Sequence, residues 1–324
     1  MSIKVRPAKR SDERLVTDLL AATFPSRPAE KWALLFNYPW FSAPPDYGFL
    51  AEERGRVIGF MGAIYSDRRL GGEVMRVCGM SSWCVSEDQR GRGVGKMVAD
   101  AYLDYMAAQG LPVMLLSVGP HVVDFFVERG SKSFLEFRRV RYAVPSFFDL
   151  LSSRRAIWVE ASSLTRNEVG ERAYRIVQDH LELHCHVRSI RIDGHTLVII
   201  SRRRVVGIDR PRWATRMAGE QKQSSTGLGR WIERGKDILR GSVPSTEVLF
   251  VSDAKLFRKH LRTIVPHLTF SDRTVAISGP GEVLGLPSPS GCARVDDYMY
   301  IGLPESIDPS ELDALYSELV LLGL

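Results

Sequence analysis

One junction in the sequence constrains the fold more than any other stretch: residues 83–106, which read WCVSEDQRGRGVGKMVADAYLDYM. An apolar run ends there, three glycines follow at alternate positions, and a run with helical spacing comes next. A loop that only turns the chain needs a single glycine to supply a positive φ angle. Gly91, Gly93 and Gly95 therefore predict a backbone that approaches a ligand closely at the N-terminus of a helix.

Two familiar phosphate-binding loops do not match this junction. A Walker loop requires Gly-x4-Gly-Lys-Ser/Thr, but Arg90 stands at its first glycine and Met97 at its Ser/Thr position. The dinucleotide fingerprint Gly-x-Gly-x-x-Gly has Lys96 in place of its third glycine, and its strand follows other strands instead of opening the fold.

The pattern that remains is Arg90-x-x-Gly93-x-Gly95 between a strand and a helix. Successive backbone N–H groups and the positive end of the helix dipole would together cradle a diphosphate. Arg92 and Lys96 would add positive charge at its rim. The alternative interpretation is a glycine-rich turn whose basic side chains face solvent.

Hydrophobic periodicity predicts an α/β fold with a mixed sheet. Residues 1–146 read as strand, helix, three strands, glycine loop, helix, strand, helix and strand, with a hairpin turn at Arg54-Gly55. Residues 155–324 predict a second, smaller α/β domain. It contains a hairpin turn at Asp193-Gly194 and a closing helix over 308–324.

Length and composition indicate a soluble, two-domain protein. The chain has 324 residues, 44% of them hydrophobic and 25% charged. No apolar run reaches the roughly 18 residues of a membrane span, and the charged N-terminus lacks the apolar core of a signal peptide. Four cysteines without a CxxC pair favour a reducing compartment, so we expect a cytoplasmic protein.

The positive charge is concentrated in one segment. The net charge is +6, and residues 202–240 hold eleven Lys or Arg against four Asp or Glu. Such a segment attracts phosphate groups, although a solvated loop is an equal alternative. No sequence pattern of a nucleic-acid-binding module accompanies it, so we do not expect a nucleic-acid partner.

A histidine cluster in DHLELHCHVR could present His180 and His184 on one helical face to a metal. No matching second pair of ligands appears elsewhere in the sequence. We therefore predict no metal site.

The junction and its surroundings resemble the GCN5-related N-acetyltransferase (GNAT) family over residues 1–145. The resemblance rests on the element order, on SSWCVSEDQRGRGVGKMVADAYLDYM as the strand, loop and helix that bind acetyl-CoA, and on LPVMLLSV as the next strand. It implies a splayed sheet, with acetyl-CoA as the acyl donor in the gap between two strands. It implies cofactor contacts at Trp83, Cys84, Val85, Arg90, Gly91, Arg92, Gly93, Val94, Gly95 and Lys96.

The resemblance also implies a function: direct transfer of an acetyl group to a small amine. A proline-rich insert at 25–48 is similar to that of acetyltransferases found with bacterial surface-polysaccharide genes, which suggests an amino-sugar nucleotide as acceptor. The basic segment would suit a phosphorylated acceptor. The stretch TEVLFVSDAKLFRKHL indicates that the second half is a degenerate repeat of the first fold, without its glycine loop.

The proton carriers of the family are not obvious in this sequence. Phe126 stands four residues before Gly130, where the family commonly has a tyrosine acid, and Gly79 stands where some members have a carboxylate. His121, which follows LPVMLLSV, is the predicted catalytic residue because histidine titrates near neutrality; a capping or surface histidine is the alternative. Tyr65 and Cys84 are the other candidates. The missing carriers motivate an alternative function, a non-catalytic acyl-CoA-binding sensor or assembly module.

Overall fold

The computed structural model describes residues 2–41, 43–116, 118–119, 122–142, 157–183, 185–207, 242–272, 274, 276–280, 283, 293–312 and 315–322. Its strands are β1 Lys4–Pro7, β2 Gly48–Glu53, β3 Arg56–Leu70, β4 Glu73–Val85, β5 Val113–Leu115, β6 Lys132–Tyr142, β7 Ile157–Val159, β8 His186–Ile192, β9 His195–Gly207, β10 Ser242–Val251, β11 Ala276–Pro280 and β12 Ala293–Ile301. Its helices are α1 Glu13–Thr23, α2 Ala29–Trp32, α3 Val94–Ala108, α4 Val123–Val127, α5 Arg166–His180, α6 Ala254–Lys259, α7 Leu261–Asp272 and α8 Glu318–Leu321. The predicted α/β class with a mixed sheet is confirmed.

The chain forms two compact units whose boundaries differ from the predicted domains 1–146 and 155–324. Unit 1 contains Met1–Glu136 together with Asp297–Leu324, and unit 2 contains Phe137–Asp296. The C-terminal segment joins unit 1 because the end of β12 pairs with β5, Met299 opposite Leu115. Pairing of this kind between residues far apart in sequence leaves no local signal.

The sheet of unit 1 has the order β1-β2-β3-β4-β5, followed by the end of β12. Each of the first three pairings is antiparallel, and β4 and β5 are parallel. The predicted hairpin turn joins β2 and β3, with positive φ at both Arg54 and Gly55 (54° and 77°). Two successive positive φ angles match the right-handed twist of the strands, which is why the chain reverses tightly there.

Helix α3 covers one face of this sheet. Its residues Val98, Ala99 and Tyr102 are buried against Ile58 of β3 and other apolar side chains of the sheet. The N-terminus of α3 approaches the sheet at Gly59, where a Cβ would lie 2.9 Å from the Val94 side chain. Alternation along the strands directs Phe60 and Cys84 to the opposite face, where α1 lies.

The C-terminal segment packs on the face opposite α3, where Leu312 and Leu319 join Val77 and Met114 in an apolar cluster. The prediction of one closing helix over 308–324 is wrong for the described residues. A 3₁₀ turn at Pro309–Glu311 and the four-residue helix α8 replace it. Tertiary packing of the leucines against the sheet overrides their helix propensity.

Unit 2 repeats the element order and pairing of unit 1. Strands β7, β8, β9 and β10 pair successively in antiparallel fashion, and β10 and β11 are parallel. The predicted turn at Asp193-Gly194 joins β8 and β9 with positive φ at both residues, like the turn between β2 and β3. Helix α5 follows the first strand, and α6 and α7 stand between β10 and β11, as α1 and α3 do in unit 1.

A buried ion pair lies within the sheet of unit 2. Arg202 of β9 and Glu247 of β10 face each other at 2.6 Å with only 4% and 1% of their side chains exposed, and Arg204 reaches the same carboxylate at 2.9 Å. Removing one partner of such a pair leaves an uncompensated charge in the interior, which is costly.

We expect Glu247→Ala to destabilise the protein by about 3–5 kcal/mol, because two arginines would lose their shared counter-charge. Urea unfolding of the purified variant measures this loss. The matched control is Arg191→Ala in the same unit, which removes a largely exposed pair with Glu168 and should cost less than about 1 kcal/mol. Equal losses in both variants would contradict the assignment.

Candidate active site

Strands β4 and β5 separate soon after they meet. Their pairing is limited to Cys78 opposite Val113 and Gly79 opposite Met114, although β4 continues to Val85. Among the described strands, none pairs with β4 on this side beyond Gly79. The backbone of residues 80–85 therefore borders a gap in the sheet, and a ligand lying there could pair with it as a strand would.

A β-bulge lies in the part of β4 that borders this gap. Phe60 pairs with Cys84 and Gly62 with Ser81, so three steps on β4 face two on β3. Ser82 takes up the extra residue with a φ of 54°. Bulges of this kind redirect side chains and occur frequently beside active sites. Sequence analysis did not find Ser82, because the bulge depends on the register with β3.

The predicted glycine loop leads from this strand into α3. Gly93 is the N-cap residue with a φ of 77°, a conformation that glycine adopts without steric cost, and no side chain caps the helix. The first backbone bond of the helix runs from the Met97 N–H to the Gly93 carbonyl. The first N–H groups of an α-helix have no partner inside the helix, and among the described residues no side chain caps those of α3. Backbone donors at the positive end of a helix form a cradle for an anion.

The basic side chains of the loop lie at the edge of this cradle. Arg92 forms a bidentate ion pair with Glu53 at 3.0 and 3.1 Å, and this hydrogen-bonded guanidinium holds the pKa of the Glu53 carboxyl below its ordinary value. Lys96 pairs with Asp100 at 2.5 Å one turn along the helix, and Arg129 shares the same carboxylate. Ion pairs with carboxylates thus hold the side chains of Arg92 and Lys96 near the N-terminus of α3.

Arg90 points to the other side of the loop. Its exposed side chain lines a pocket of about 770 Å³ that α1 and the β2–β3 turn also border. The loop on that side is fixed by Arg56 and Asp88, which form two hydrogen bonds of 2.8 and 3.0 Å. The Arg90 side chain therefore lies on the α1 side of the loop.

The three predicted strand residues differ in where their side chains lie. Trp83 packs against Phe125 and Phe126 of α4 in tilted and edge-to-face contacts, with ring centroids 5.4 and 5.6 Å away. Val85 lies beneath the start of α3, where a Cβ on Gly95 would be 3.3 Å from it. Cys84 faces α1 on the opposite side, and burial raises the pKa of its thiol to about 12. Their backbone, not their side chains, borders the gap.

Phe126 and Gly79 stand where the GNAT family commonly has a tyrosine acid and a carboxylate, and both have packed surroundings. Phe126 is fully buried beside Trp83, so it packs and offers no proton. Gly79 is the last residue of β4 that pairs with β5, and a Cβ there would lie 3.9 Å from the carbonyl oxygen of Tyr316. The C-terminal segment thus reaches the point where the strands part. Arg68 donates to that carbonyl at 3.2 Å.

Four other side chains were candidates for catalysis or metal binding. Two of them lie outside the described residues, and the other two are buried and hydrogen-bonded. His121 lies outside the described residues, as does His184 of the histidine cluster. His180 is fully buried and bonds through Nδ1 with the Ile176 carbonyl at 2.7 Å. The Tyr65 hydroxyl donates to buried Asp46 at 2.9 Å, and burial raises the pKa of Tyr65 far above its ordinary value.

Two further findings concern possible ligands and membranes. In the part of the chain that the structure covers, no three His, Cys, Asp or Glu side chains are grouped as metal ligands. No helix among the described residues has the length and apolar character that a bilayer crossing requires.

The equivalent corner in unit 2 is built differently. After β10 comes Ser252-Asp253 in place of the glycines, and the Asp253 side chain accepts a 2.9 Å hydrogen bond from the Leu256 N–H. A carboxylate therefore occupies the helix N-terminus that the glycines leave open in unit 1. Strand β10 nevertheless has a bulge between Val248 and Phe250, and its pairing with β11 ends at Glu247.

Comparisons with known proteins agree with this geometry. Residues 13–130 match the family model described as the acetyltransferase (GNAT) family. No curated protein matches the chain in sequence.

Solved structures share the fold over most of the chain. A GCN5-related N-acetyltransferase from Anabaena variabilis has a TM-score of 0.55 at 12% identity, over 92% of this chain and 72% of that one. One from Kribbella flavida has the same score and identity, over 92% and 70%. A glucosamine N-acetyltransferase region of a fungal GH3 β-N-acetylglucosaminidase scores 0.52 at 15% identity, over 93% and 38%.

The element order, the parted strands, the bulge and the open glycine loop occur together within the residues that the family model matches. The chain therefore carries an acetyltransferase domain of the GNAT family at residues 13–130.

Proposed function

We propose that the protein is an acetyl-CoA-dependent N-acyltransferase that acts on a small amine. The observation that carries this proposal is the uncapped N-terminus of α3, which begins at Gly93 next to a strand whose pairing with β5 ends at Gly79. The GNAT family uses acetyl-CoA as its acyl donor. A diphosphate at the cradle and an amide-bearing arm along β4 would bond with the backbone groups of both.

When bound, acetyl-CoA supplies a thioester whose carbonyl carbon accepts the lone pair of the amine, with formation of the N–C bond and loss of a thiolate. The chain's contribution is alignment, which can lower a barrier by roughly 7–11 kcal/mol. A backbone N–H near Val85 would steady the charge that develops on the carbonyl oxygen. The backbone of Trp83 and Cys84 would hold the donor in register.

His121 is the proposed general base that takes the proton from the amine. Histidine titrates near neutrality, and this residue follows β5, the strand that borders the far side of the gap. General-base help adds about 10²–10⁴-fold to a rate, so the reaction would remain measurable without it.

The proposed acceptor class is an amino sugar, with an amino-sugar nucleotide as the specific candidate. Its support is the sequence character of the insert at 25–48 and the basic segment at 202–240, which would suit a phosphorylated ligand. The fold shared with a glucosamine N-acetyltransferase region is consistent with this class. The proposed location is the cytoplasm, on the basis of the cysteine pattern.

We infer further that unit 2 is a degenerate GNAT-like repeat without a cofactor site. The support is the repeated strand pairing, the repeated turn with two positive φ angles, and a bulge near the end of the fourth strand in each unit. Asp253 at the helix N-terminus would repel a diphosphate, because it places a carboxylate where the anion would sit.

One observation favours the alternative function, an acyl-CoA-binding sensor or assembly module. The position of the family's tyrosine acid holds the buried Phe126, which cannot donate a proton. A thiolate whose pKa is about 8.5 can leave without an acid, so this observation does not require a loss of catalysis.

The cradle is tested by replacing Gly93 with alanine and Gly95 with valine. Added side chains would occupy the space above the N–H groups and narrow the gap toward Val85, so we expect acetyl-CoA affinity to fall more than tenfold in isothermal calorimetry. Gly110→Ala is the control, because Gly110 also has positive φ (63°) and open surroundings, at the other end of α3. Unchanged affinity in the double variant would refute the cradle.

Catalysis is tested by thiol release from acetyl-CoA with a panel of amines that includes glucosamine, glucosamine phosphates and amino-sugar nucleotides. We expect release above the background rate with an amino sugar, and a slower rate for His121→Ala at neutral pH because the amine keeps its proton longer. Tight acetyl-CoA binding without release for any amine would support the sensor. An identical pH profile for His121→Ala would remove that residue from the mechanism.

Direct transfer also predicts that no cysteine carries the acetyl group. The Cys84 thiol is buried with a pKa of about 12, so it holds almost no thiolate near neutrality. We expect intact-mass spectrometry after incubation with acetyl-CoA to show no thioester adduct, and Cys84→Ala to keep its acetyl-CoA affinity. An acetylated Cys84 would overturn the direct mechanism.

A further inference from the structure

Ser82 has an unusual backbone conformation for its place in the fold. Three non-glycine residues among those described have positive φ, and two of them, Arg54 and Asp193, belong to hairpin turns. Ser82 is the third, with φ of 54° inside β4. A side chain in this conformation is strained, and glycine would adopt it at no steric cost. Strain of this kind persists where the surrounding structure enforces it, and it is frequent at functional sites.

The strained residue lies on the part of β4 that borders the gap. It comes three residues after Gly79, where pairing with β5 ends, and before the three residues proposed to hold the donor. Its side chain is partly exposed, whereas its neighbour Ser81 is only 1% exposed. The two hydroxyl groups are 2.8 Å apart and share a hydrogen bond.

The two residues that follow Ser82 on β4 direct their side chains to helices. Trp83 packs edge-to-face against Phe126 of α4, and the Cys84 thiol faces α1. Ser82, at the bulge, carries a partly exposed hydroxyl and comes immediately before residues 83–85, with which a donor arm would pair.

We propose that the Ser82 hydroxyl donates a hydrogen bond to the sulfur of coenzyme A as it leaves, in place of the absent tyrosine. This inference rests on the proposed function. Either hydroxyl of the Ser81–Ser82 pair can donate to the other. When Ser81 donates, the Ser82 proton is available to the sulfur, and a chain of two hydroxyls polarises cooperatively. The C–S bond breaks, its electron pair stays on sulfur, and the thiolate later takes its proton from water. Ser82 keeps its own proton throughout.

The proposed role of Ser82 predicts a change in the thiol pKa of bound coenzyme A, which can be measured without an acceptor amine. A hydrogen bond to a charged sulfur stabilises the thiolate, so the thiol pKa of bound coenzyme A should be lower than in solution. Loss of one such bond corresponds to about one pKa unit, a tenfold change in thiolate stability. The ultraviolet absorbance of the thiolate during a pH titration of the complex reports this pKa directly.

We expect Ser82→Gly to raise the thiol pKa of bound coenzyme A by about one unit while the affinity for the thiol form at low pH stays the same. Glycine keeps the bulge without strain, so this variant isolates the hydroxyl from the backbone geometry. Ser82→Ala should show the same pKa change.

The matched control is Arg54→Gly, which relieves the same positive φ (54°) at a turn away from the gap. It should leave the thiol pKa unchanged. An identical thiol pKa in wild type and Ser82→Gly, with coenzyme A bound in both, would overturn the role of Ser82 and leave the proposed function intact. Failure of the wild-type protein to bind coenzyme A would overturn both.

Discussion

The site depends on an incomplete strand pairing. Strands β4 and β5 meet at two residue pairs and then part, and no other strand of the described ranges pairs with residues 80–85 on that side. A folded protein rarely leaves backbone groups unpaired unless water or a ligand satisfies them. The bulge at Ser82, the packed rings of Trp83 and α4, and the open N-terminus of α3 all lie along this same edge. All three features would face a ligand in the gap because β5 stops pairing with β4 there.

The two units show how little change separates an open anion site from a closed helix end. Both have a parallel strand pair that ends early and a bulge near the end of the strand before the helix. In unit 1 a glycine with positive φ begins the helix, and no side chain caps it. In unit 2 Asp253 caps the helix with its own carboxylate. Capping stabilises a helix, so the uncapped end in unit 1 lacks that stabilisation and leaves the space that the proposed diphosphate would fill.

Local sequence signals predicted the parts of the structure that depend on local chemistry. The glycine loop and the turns at Arg54-Gly55 and Asp193-Gly194 each follow from the conformations that these residues favour. The bulge at Ser82 did not follow, because it arises from the register between two strands and serine gives no hint of positive φ. The return of the C-terminal segment was also missed, since the pairing of Met299 with Leu115 joins distant residues.

Residues 297–324 belong to unit 1 although they follow unit 2 in the sequence, and this order has a consequence for biosynthesis. Residues 1–136 leave the ribosome first, yet the β5 edge they form is covered only by a strand that ends at Ile301. The whole of unit 2 is translated in between, so the edge of β5 that faces away from β4 stays exposed for the time that about half the chain takes to emerge. An exposed strand edge invites pairing with other chains. The nascent protein would therefore depend on chaperones most while its second half is still being made.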